Sequence, residues 1–183
     1  ELWRQPLGSG NEDIREGESN ALSPSPSTDG EHVWVYTGTG ILACYDKSGS
    51  QKWTIDIQET YGDFEIWWGM STSPLLHGDR LYLALMHTKA QLVIAFDKST
   101  GEEIWKHNRK TDARVENLHS YATPVIYKDD EQTYLLTHGS DFIVAHSLED
   151  GTELWRCGGF HKPDNYNEYL RLVASPVVRP GLI

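Results

Sequence analysis

Short apolar runs alternate with tight polar turns along this chain, and one such unit recurs. At residues 95–105 an apolar run leads into Asp97, a Ser-Thr-Gly turn follows, and a short alternating segment ends at a tryptophan. This pattern is typical of a β-hairpin in which the turn sets the register of the strands. Similar units occupy residues 43–53 and 145–155, and Trp3 ends the same pattern at the start of the chain.

Two landmarks repeat at a spacing of roughly fifty residues. Glycine stands four residues before tryptophan in each full unit, at 49 and 53, 101 and 105, and 151 and 155. A Ser-Pro or Thr-Pro pair opens an apolar run at residues 25, 73, 123 and 175. Because the signals inside the period are all of β type, the spacing predicts a β-propeller with one four-stranded antiparallel sheet, or blade, per repeat.

The repeat pattern predicts an all-β protein formed by an incomplete arc of about three and a half blades. Complete repeats are expected at about residues 21–57, 70–107 and 120–157, and parts of two further blades at residues 1–5 and 172–183. The innermost strands are expected around the Ser/Thr-Pro pairs, over residues 21–26, 70–76, 121–127 and 172–179. We therefore expect the chain to be a piece of a longer propeller and to pack against the remaining blades of the same polypeptide.

Composition narrows the classes of partner. Hydrophobic residues make up 38% of the 183 residues, which is enough for a packed core, and the net charge is −11. A scattered acidic surface repels nucleic acid and anionic lipid, so neither a nucleic-acid partner nor direct membrane insertion is expected. Cys44 and Cys157 fall in different repeats, too far apart in a propeller for a disulfide.

The pattern Ala-x-Asp-x-x-Thr-Gly-x-x-x-Trp, kept best at residues 95–105, resembles the tryptophan-docking motif of the pyrroloquinoline quinone (PQQ) dehydrogenase-type propellers. The resemblance covers nearly the whole chain and implies eight blades in the full-length protein. It implies that each motif tryptophan stacks on a neighbouring blade near the motif glycine. The structural docking residues that it implies are Trp3, Trp53, Trp105, Trp155, Gly49, Gly101, Gly151, Asp46 and Asp97. The turns at residues 47–49 and at Ser147 depart from the pattern, so looser docking is expected there.

That family has two main branches, both typically extracytoplasmic, so a periplasmic or other extracytoplasmic location is implied. One branch contains PQQ- and calcium-dependent alcohol and sugar dehydrogenases, and the other contains non-catalytic propellers similar to BamB. A resemblance to the dehydrogenases would imply a pair of adjacent cysteines and a set of calcium ligands. This sequence has no adjacent cysteines and no Asp-x-Asp-type calcium loop, which favours the BamB-like branch. No catalytic residue, metal ligand or cofactor is therefore expected in this chain. The alternative is a piece of a PQQ-dependent dehydrogenase whose catalytic blades lie outside it.

Long polar segments connect each tryptophan to the next Ser/Thr-Pro pair, at residues 54–72, 106–122 and 156–174. In a propeller these connecting segments form one face, here named the loop face, and the mouth of the central channel. Candidate residues for binding a polar or anionic ligand at the channel mouth are Trp68, Asn117, His119, Glu168 and Arg171. The alternative, that these residues only hydrogen-bond loop carbonyls and water, stays open. The predicted function is a non-enzymatic binding or scaffold module that presents the loop face to a protein, peptide or carbohydrate partner.

Overall fold

A computed structural model of the protein describes residues 1–10, 20–161 and 163–183, and it contains three four-stranded antiparallel sheets. The first blade contains β1 (Ser27–Thr28), β2 (His32–Tyr36), β3 (Ile41–Asp46) and β4 (Gln51–Asp56). The second blade contains β5 (Leu75–His77), β6 (Arg80–His87), β7 (Ala90–Asp97) and β8 (Glu103–Asn108). The third blade contains β9 (Val125–Lys128), β10 (Thr133–Gly139), β11 (Phe142–His146) and β12 (Glu153–Cys157). Helical structure in the described residues is limited to α1 (Ile57–Tyr61) and the 3-10 turns Val115–Leu118 and Pro163–Asn165.

The middle blade is covered on both faces by its neighbours, which explains why its central strands are almost entirely apolar. Leu83 of β6 packs in one hydrophobic cluster with Trp34 of the first blade. The next residue, Ala84, packs in a second cluster with Leu135 of the third blade. Successive side chains of a strand point to opposite faces, so β6 contributes alternately to the two blade–blade cores. Face-to-face stacking of separate four-stranded sheets confirms the predicted all-β, incomplete propeller.

Each of the first three motif tryptophans lies against the glycine of the following blade. An ideal Cβ placed on the glycine would lie 2.7 Å from the nearest indole atom for Gly49 and Trp3, 2.8 Å for Gly101 and Trp53, and 2.5 Å for Gly151 and Trp105. Only a residue without a side chain allows so close an approach. The tryptophan ring therefore fills the space between two twisted sheets that backbone atoms alone would leave open.

The same turns accept a hydrogen bond from each docked indole. The indole N–H groups donate to the carbonyl oxygens of Lys47, Lys98 and Leu148 at 3.0, 3.0 and 3.1 Å. Because these distances are nearly equal, the sequence departures at residues 47–49 and at Ser147 do not loosen the contact. Trp155 packs edge-on against Tyr134 of its own blade, with ring centroids 5.7 Å apart.

The motif aspartates organise the turns on which the indoles dock. The Asp97 carboxylate accepts hydrogen bonds from the backbone N–H groups of Ser99 and Thr100 at 2.8 and 2.9 Å. The Asp46 carboxylate accepts from the backbone N–H groups of Ser48 and Ser50 at 2.8 and 3.1 Å. Such side-chain-to-backbone bonds fix the turn conformation and hold the glycine in place below the tryptophan.

The Ser/Thr-Pro pairs connect neighbouring blades through hydrogen bonds. They were predicted to lie within the innermost strands, but in the structure those strands begin after them. The backbone N–H of Ser25 donates to the Ser73 hydroxyl at 2.9 Å, that of Ser73 donates to Thr123 at 3.2 Å, and that of Thr123 donates to Ser175 at 2.9 Å. Proline has no N–H to give to a sheet, and its neighbour's N–H is used by the next blade. The innermost strands therefore begin after the prolines, at Ser27, Leu75 and Val125.

The two ends of the chain also differ from the sequence-based expectation. The structure assigns no strand at residues 1–5, although Trp3 docks there as a motif tryptophan. At residues 172–179, where a fourth innermost strand was expected, it has only an isolated bridge that pairs Arg179 with Leu182. A short strand without a neighbouring strand cannot complete a ladder of hydrogen bonds, which explains the irregular ends.

Both cysteines are free, with Cys44 buried and Cys157 exposed.

A buried histidine in the third blade should make stability depend on pH. His146 is completely buried, its Nδ1–H donates to the Gly151 carbonyl at 3.1 Å, and its Nε2 accepts from the Thr137 hydroxyl at 3.0 Å. Burial lowers the pKa of His146 from 6.5 to about 4. As pH falls below about 6.5, His146 binds a proton in the unfolded chain but not in the folded chain. The free energy of unfolding therefore decreases.

We therefore expect the loss of stability between pH 7 and pH 5 to be about 2 kcal/mol smaller in His146→Gln than in the unaltered protein. Urea unfolding at the two pH values measures this difference. Some loss should remain in the variant, since burial also lowers the pKa of His87 to about 4. An equal loss in both proteins would contradict the assignment of the pH dependence to His146.

Candidate functional site

Three connecting segments meet at a single buried carboxylate. Glu116 is 5% exposed, and its Oε1 accepts a 2.7 Å hydrogen bond from the Trp68 indole N–H. The same oxygen pairs with the Arg171 guanidinium. That guanidinium also lies between two aromatic rings, 5.4 Å from the centroid of Trp68 and 5.5 Å from that of Tyr121. Trp68, Glu116 and Arg171, here named the Glu116 junction, thus hold the segments 54–72, 106–122 and 156–174 together.

Asn117 supports this junction from below. It is completely buried, and its Nδ2 donates to the Asn167 carbonyl at 2.9 Å. The backbone N–H groups of Glu116 and Asn117 donate to the Glu168 carbonyl at 3.1 and 3.2 Å. Glu168 therefore contributes its backbone to the contact between two segments. The structure places Asn117 and Glu168 in loop-to-loop contacts.

His119 lies under the loop face. It is not part of the wall of the cleft that opens beside the Glu116 junction. It is completely buried, and its Nε2 is 3.0 Å from the Thr88 hydroxyl. Burial is the main cause of its lowered pKa, and the Arg171 charge acts in the same direction. Its ring meets the Trp67 ring edge-on, with centroids 5.8 Å apart. His119 is thus a neutral support for Trp67.

A cleft of about 440 Å³, here named the junction cleft, opens beside the Glu116 junction. Trp68 and Arg171 line it together with Tyr121, Ser71 and Asn20. Of the five sequence-predicted ligand residues, the structure brings Trp68 and Arg171 to this cleft. The Arg171 cation is already paired with Glu116, so it offers a weaker attraction to an anionic ligand than a free guanidinium would.

Two aromatic rings are exposed on the loop face above His119. Trp67 is 45% exposed and Tyr169 is 55% exposed, and their ring centroids lie 6.2 Å apart at an interplanar angle of 37°. The next residue, Leu170, is 62% exposed. Trp67, Tyr169 and Leu170, here named the aromatic patch, come from two different connecting segments. Adjacent large exposed apolar side chains mark surfaces that bind other molecules.

The sequence matches the family described as "Outer membrane protein assembly factor BamB" over residues 1–182. The chain belongs to this family. No curated protein matches it. In the part of the chain that the structure describes, no helix has the length and apolar character that a membrane span requires.

Solved structures of the BamB type and of quinoprotein dehydrogenases share this fold. The crystal structure of BamB from Moraxella catarrhalis has a TM-score of 0.58 and 18% identity, covering 84% of this chain and 42% of that one. Quinohemoprotein alcohol dehydrogenase from Comamonas testosteroni has a TM-score of 0.56 and 19% identity, covering 79% and 22%. The corresponding enzyme ADHIIG from Pseudomonas putida HK5 has a TM-score of 0.55 and 16% identity, covering 76% and 27%. The chain thus spans less than half the length of each of these relatives.

The described residues of this BamB-family chain do not fit the calcium that accompanies PQQ in the dehydrogenase branch. No three His, Cys, Asp or Glu side chains among them cluster closely enough to hold a metal ion. Glu116 is the buried carboxylate of the junction, but Trp68 and Arg171 already occupy its oxygen. A carboxylate that is neutralised by a guanidinium is a poor calcium ligand.

Sequence analysis of this BamB-family chain missed Glu116 and the aromatic patch as functional candidates. The sequence offered one usable signal, the adjacent pair Trp67 and Trp68 in a connecting segment. The two tryptophans lie in a turn, where Trp67 is exposed and Trp68 donates its N–H to Glu116. Nothing local distinguishes Glu116 from other acidic loop residues, because its partners come from segments about fifty residues away.

Proposed function

We propose that this protein is a non-enzymatic binding or scaffold propeller that engages a protein partner through its loop face, outside the cytoplasm. The observation that carries the proposal is the aromatic patch formed by Trp67, Tyr169 and Leu170, each at least 45% exposed. Tryptophan and tyrosine are enriched among the residues that dominate protein–protein binding energies. The family match to an outer-membrane assembly factor supports a role in binding proteins.

The support beneath the aromatic patch makes it suited to binding. Trp67 rests on the edge of buried His119, and its neighbour Trp68 is fixed by Glu116. The segment that carries Tyr169 is fixed by Arg171 and by backbone bonds to the Glu168 carbonyl. A surface whose side chains are already ordered loses little conformational entropy on binding, which favours affinity.

A polypeptide suits this patch better than a carbohydrate does. Leu170 extends the exposed apolar surface beyond the two aromatic rings, and apolar side chains of a partner would cover it. The chain carries a net charge of −11, so a partner segment with basic residues would be attracted to it over long range. We therefore propose a partner segment that combines apolar anchors with lysine or arginine.

Site-specific photo-crosslinking in the full-length protein, produced in its own cells, tests this proposal. A crosslinking residue at position 67 or 169 should capture a discrete protein, whereas the same residue at position 104 or 154 should not. Ile104 and Leu154 are matched controls, since they are 41% and 54% exposed but lie on the outermost strands. The double variant Trp67→Ala, Tyr169→Ala should weaken binding of the captured partner by at least about tenfold. Equal capture at all four positions would contradict the proposal.

The alternative function, a PQQ-dependent alcohol or sugar dehydrogenase, rests on a fold shared with the quinohemoprotein dehydrogenases. Its catalytic blades would lie outside this chain. Titration of the full-length protein with PQQ and calcium, followed by dye reduction with alcohols or sugars, distinguishes the two functions. Turnover that depends on both additions would overturn the scaffold proposal.

A further inference from the structure

A second pocket lies between the β10–β11 turn and the segment that follows β12. Its volume is about 390 Å³, and its walls include Asp112, Arg114, Asp141, Phe160, His161 and Tyr166. None of these residues lines the junction cleft. We name this pocket the Asp141 pocket. Neither the aromatic patch nor the Glu116 junction explains its charged groups.

Asp141 has a buried carboxylate oxygen without a hydrogen-bond donor. Its side chain is 9% exposed, and its Oδ2 accepts a 2.5 Å hydrogen bond from the Tyr166 hydroxyl. Its Oδ1 has no partner with hydrogen-bond geometry, although Nε2 of His161 lies 3.4 Å from it. A buried carboxylate with an incomplete set of hydrogen bonds is costly, so the Asp141 carboxylate would gain from a charged donor supplied by a ligand.

Asp141 lies in the two-residue turn between β10 and β11. Ser140 and Asp141 have φ angles of 49° and 68°, the positive values that a type I′ hairpin turn requires at both central residues. The Ser140 hydroxyl is anchored by the Gln91 side chain and by the Leu118 carbonyl at 3.0 Å. The turn and these hydrogen bonds therefore hold Asp141 in a fixed position on the pocket wall.

Arg114 provides the opposite charge on the wall of the same pocket. Its guanidinium carbon lies 4.6 Å from the centroid of the Tyr166 ring, and it forms no ion pair with any described residue. Tyr166 thus separates the two charges, with its hydroxyl at Asp141 and its ring under Arg114. Phe160, which is 46% exposed, forms an apolar part of the wall.

We propose that the Asp141 pocket binds a free α-amino acid with an apolar side chain. The ammonium group pairs with the Asp141 carboxylate, the carboxylate of the amino acid pairs with the Arg114 guanidinium, and the side chain lies against Phe160. A charged donor offsets the desolvation of a buried carboxylate better than a neutral hydroxyl does, and a guanidinium is suited to a carboxylate. A ligand that brings a cation to Asp141 and a carboxylate to Arg114 is a zwitterion, which a neutral sugar is not. This site is independent of the protein-binding role proposed for the loop face.

Isothermal titration calorimetry on the full-length protein tests the proposal with L-leucine and L-phenylalanine as probes. Isoamylamine and 4-methylpentanoate each carry one of the two charges, and glucose carries neither. At least one of the amino acids should bind, and each single-charge compound should bind about tenfold or more weakly. Glucose binding without amino-acid binding would overturn the proposal, as would the absence of any amino-acid binding by the folded protein.

Two variants assign the binding to the two charges. Asp141→Asn keeps an acceptor for Tyr166 and suits a positive φ, and it should weaken amino-acid binding by about ten- to hundredfold. Arg114→Gln changes an exposed residue and should weaken binding by about tenfold, even if Asp141→Asn impairs folding. Asp79→Asn is the control, because the Asp79 side chain is 93% exposed and far along the chain from the pocket. Unchanged affinity in Arg114→Gln would overturn the proposed orientation.

Discussion

Trp105→Ala should lower the free energy of unfolding by about 3–5 kcal/mol, the usual cost of truncating a buried tryptophan. Trp105 is 8% exposed and packs with Tyr82 of its own blade and Leu135 of the next. Its indole N–H donates to the Leu148 carbonyl at 3.1 Å, and its ring covers Gly151. Truncation therefore opens a cavity between two blades and removes one of the two donors to that carbonyl, which keeps the Arg80 guanidinium as its other donor. For a chain of this size, the melting temperature should fall by roughly 10 °C.

The adjacent residue supplies a matched control for Trp105. Ile104 lies on the same strand, β8, but points to the other face and is 41% exposed. Ile104→Ala should change the free energy of unfolding by less than about 1 kcal/mol. Thermal unfolding followed by circular dichroism measures both variants. Equal shifts for the two variants would mean that Trp105 does not connect the blades.

The propeller fold was predictable because its main signals are local. The spacing of Gly101 and Trp105 fits within one hairpin, and its recurrence at 151 and 155 reveals the repeat. The all-apolar stretch of β6 likewise indicates a strand covered on both faces. These features require no knowledge of which distant residues meet, so one sequence was enough to predict the fold class.

The ends of the innermost strands were not predictable, since they depend on bonds between blades. The sequence shows an apolar run around Pro74 and Pro124, which resembles a strand. In the structure, the N–H of Ser73 is used by Thr123 of the next blade, and its own sheet starts later, at Leu75. A hydrogen bond between residues fifty positions apart leaves no local trace in the sequence.

The site was less predictable than the fold, because burial within packed loops depends on tertiary contacts. Position in the connecting segments suggested that Asn117 and His119 face a ligand, yet both are completely buried. The same reasoning missed Glu116, whose role depends on an arginine from another segment. The acidic turn residue Asp141 had no distinguishing sequence signal, since its contacts with Tyr166 and His161 come from a distant segment of the chain.

The second large effect is expected for Gly151→Ala, which tests the close contact between glycine and tryptophan directly. Gly151 has a φ of 76°, and a Cβ there would lie 2.5 Å from the Trp105 ring. The left-handed backbone costs an alanine about 1–2 kcal/mol, and the overlap with the ring adds about 1–3 kcal/mol. The free energy of unfolding, measured by urea denaturation, should therefore fall by about 2–5 kcal/mol.

Gly78→Ala separates the two causes of that loss. Gly78 also has a positive φ, of 61°, but no atom lies within 4 Å of the position that a Cβ would take. Gly78→Ala should therefore show only the backbone cost of about 1–2 kcal/mol. In a Trp105→Ala background, Gly151→Ala should cost no more than Gly78→Ala does, because the ring that it strikes is gone. If the full cost of Gly151→Ala persisted in that background, the contact between indole and glycine could not be what orders neighbouring blades.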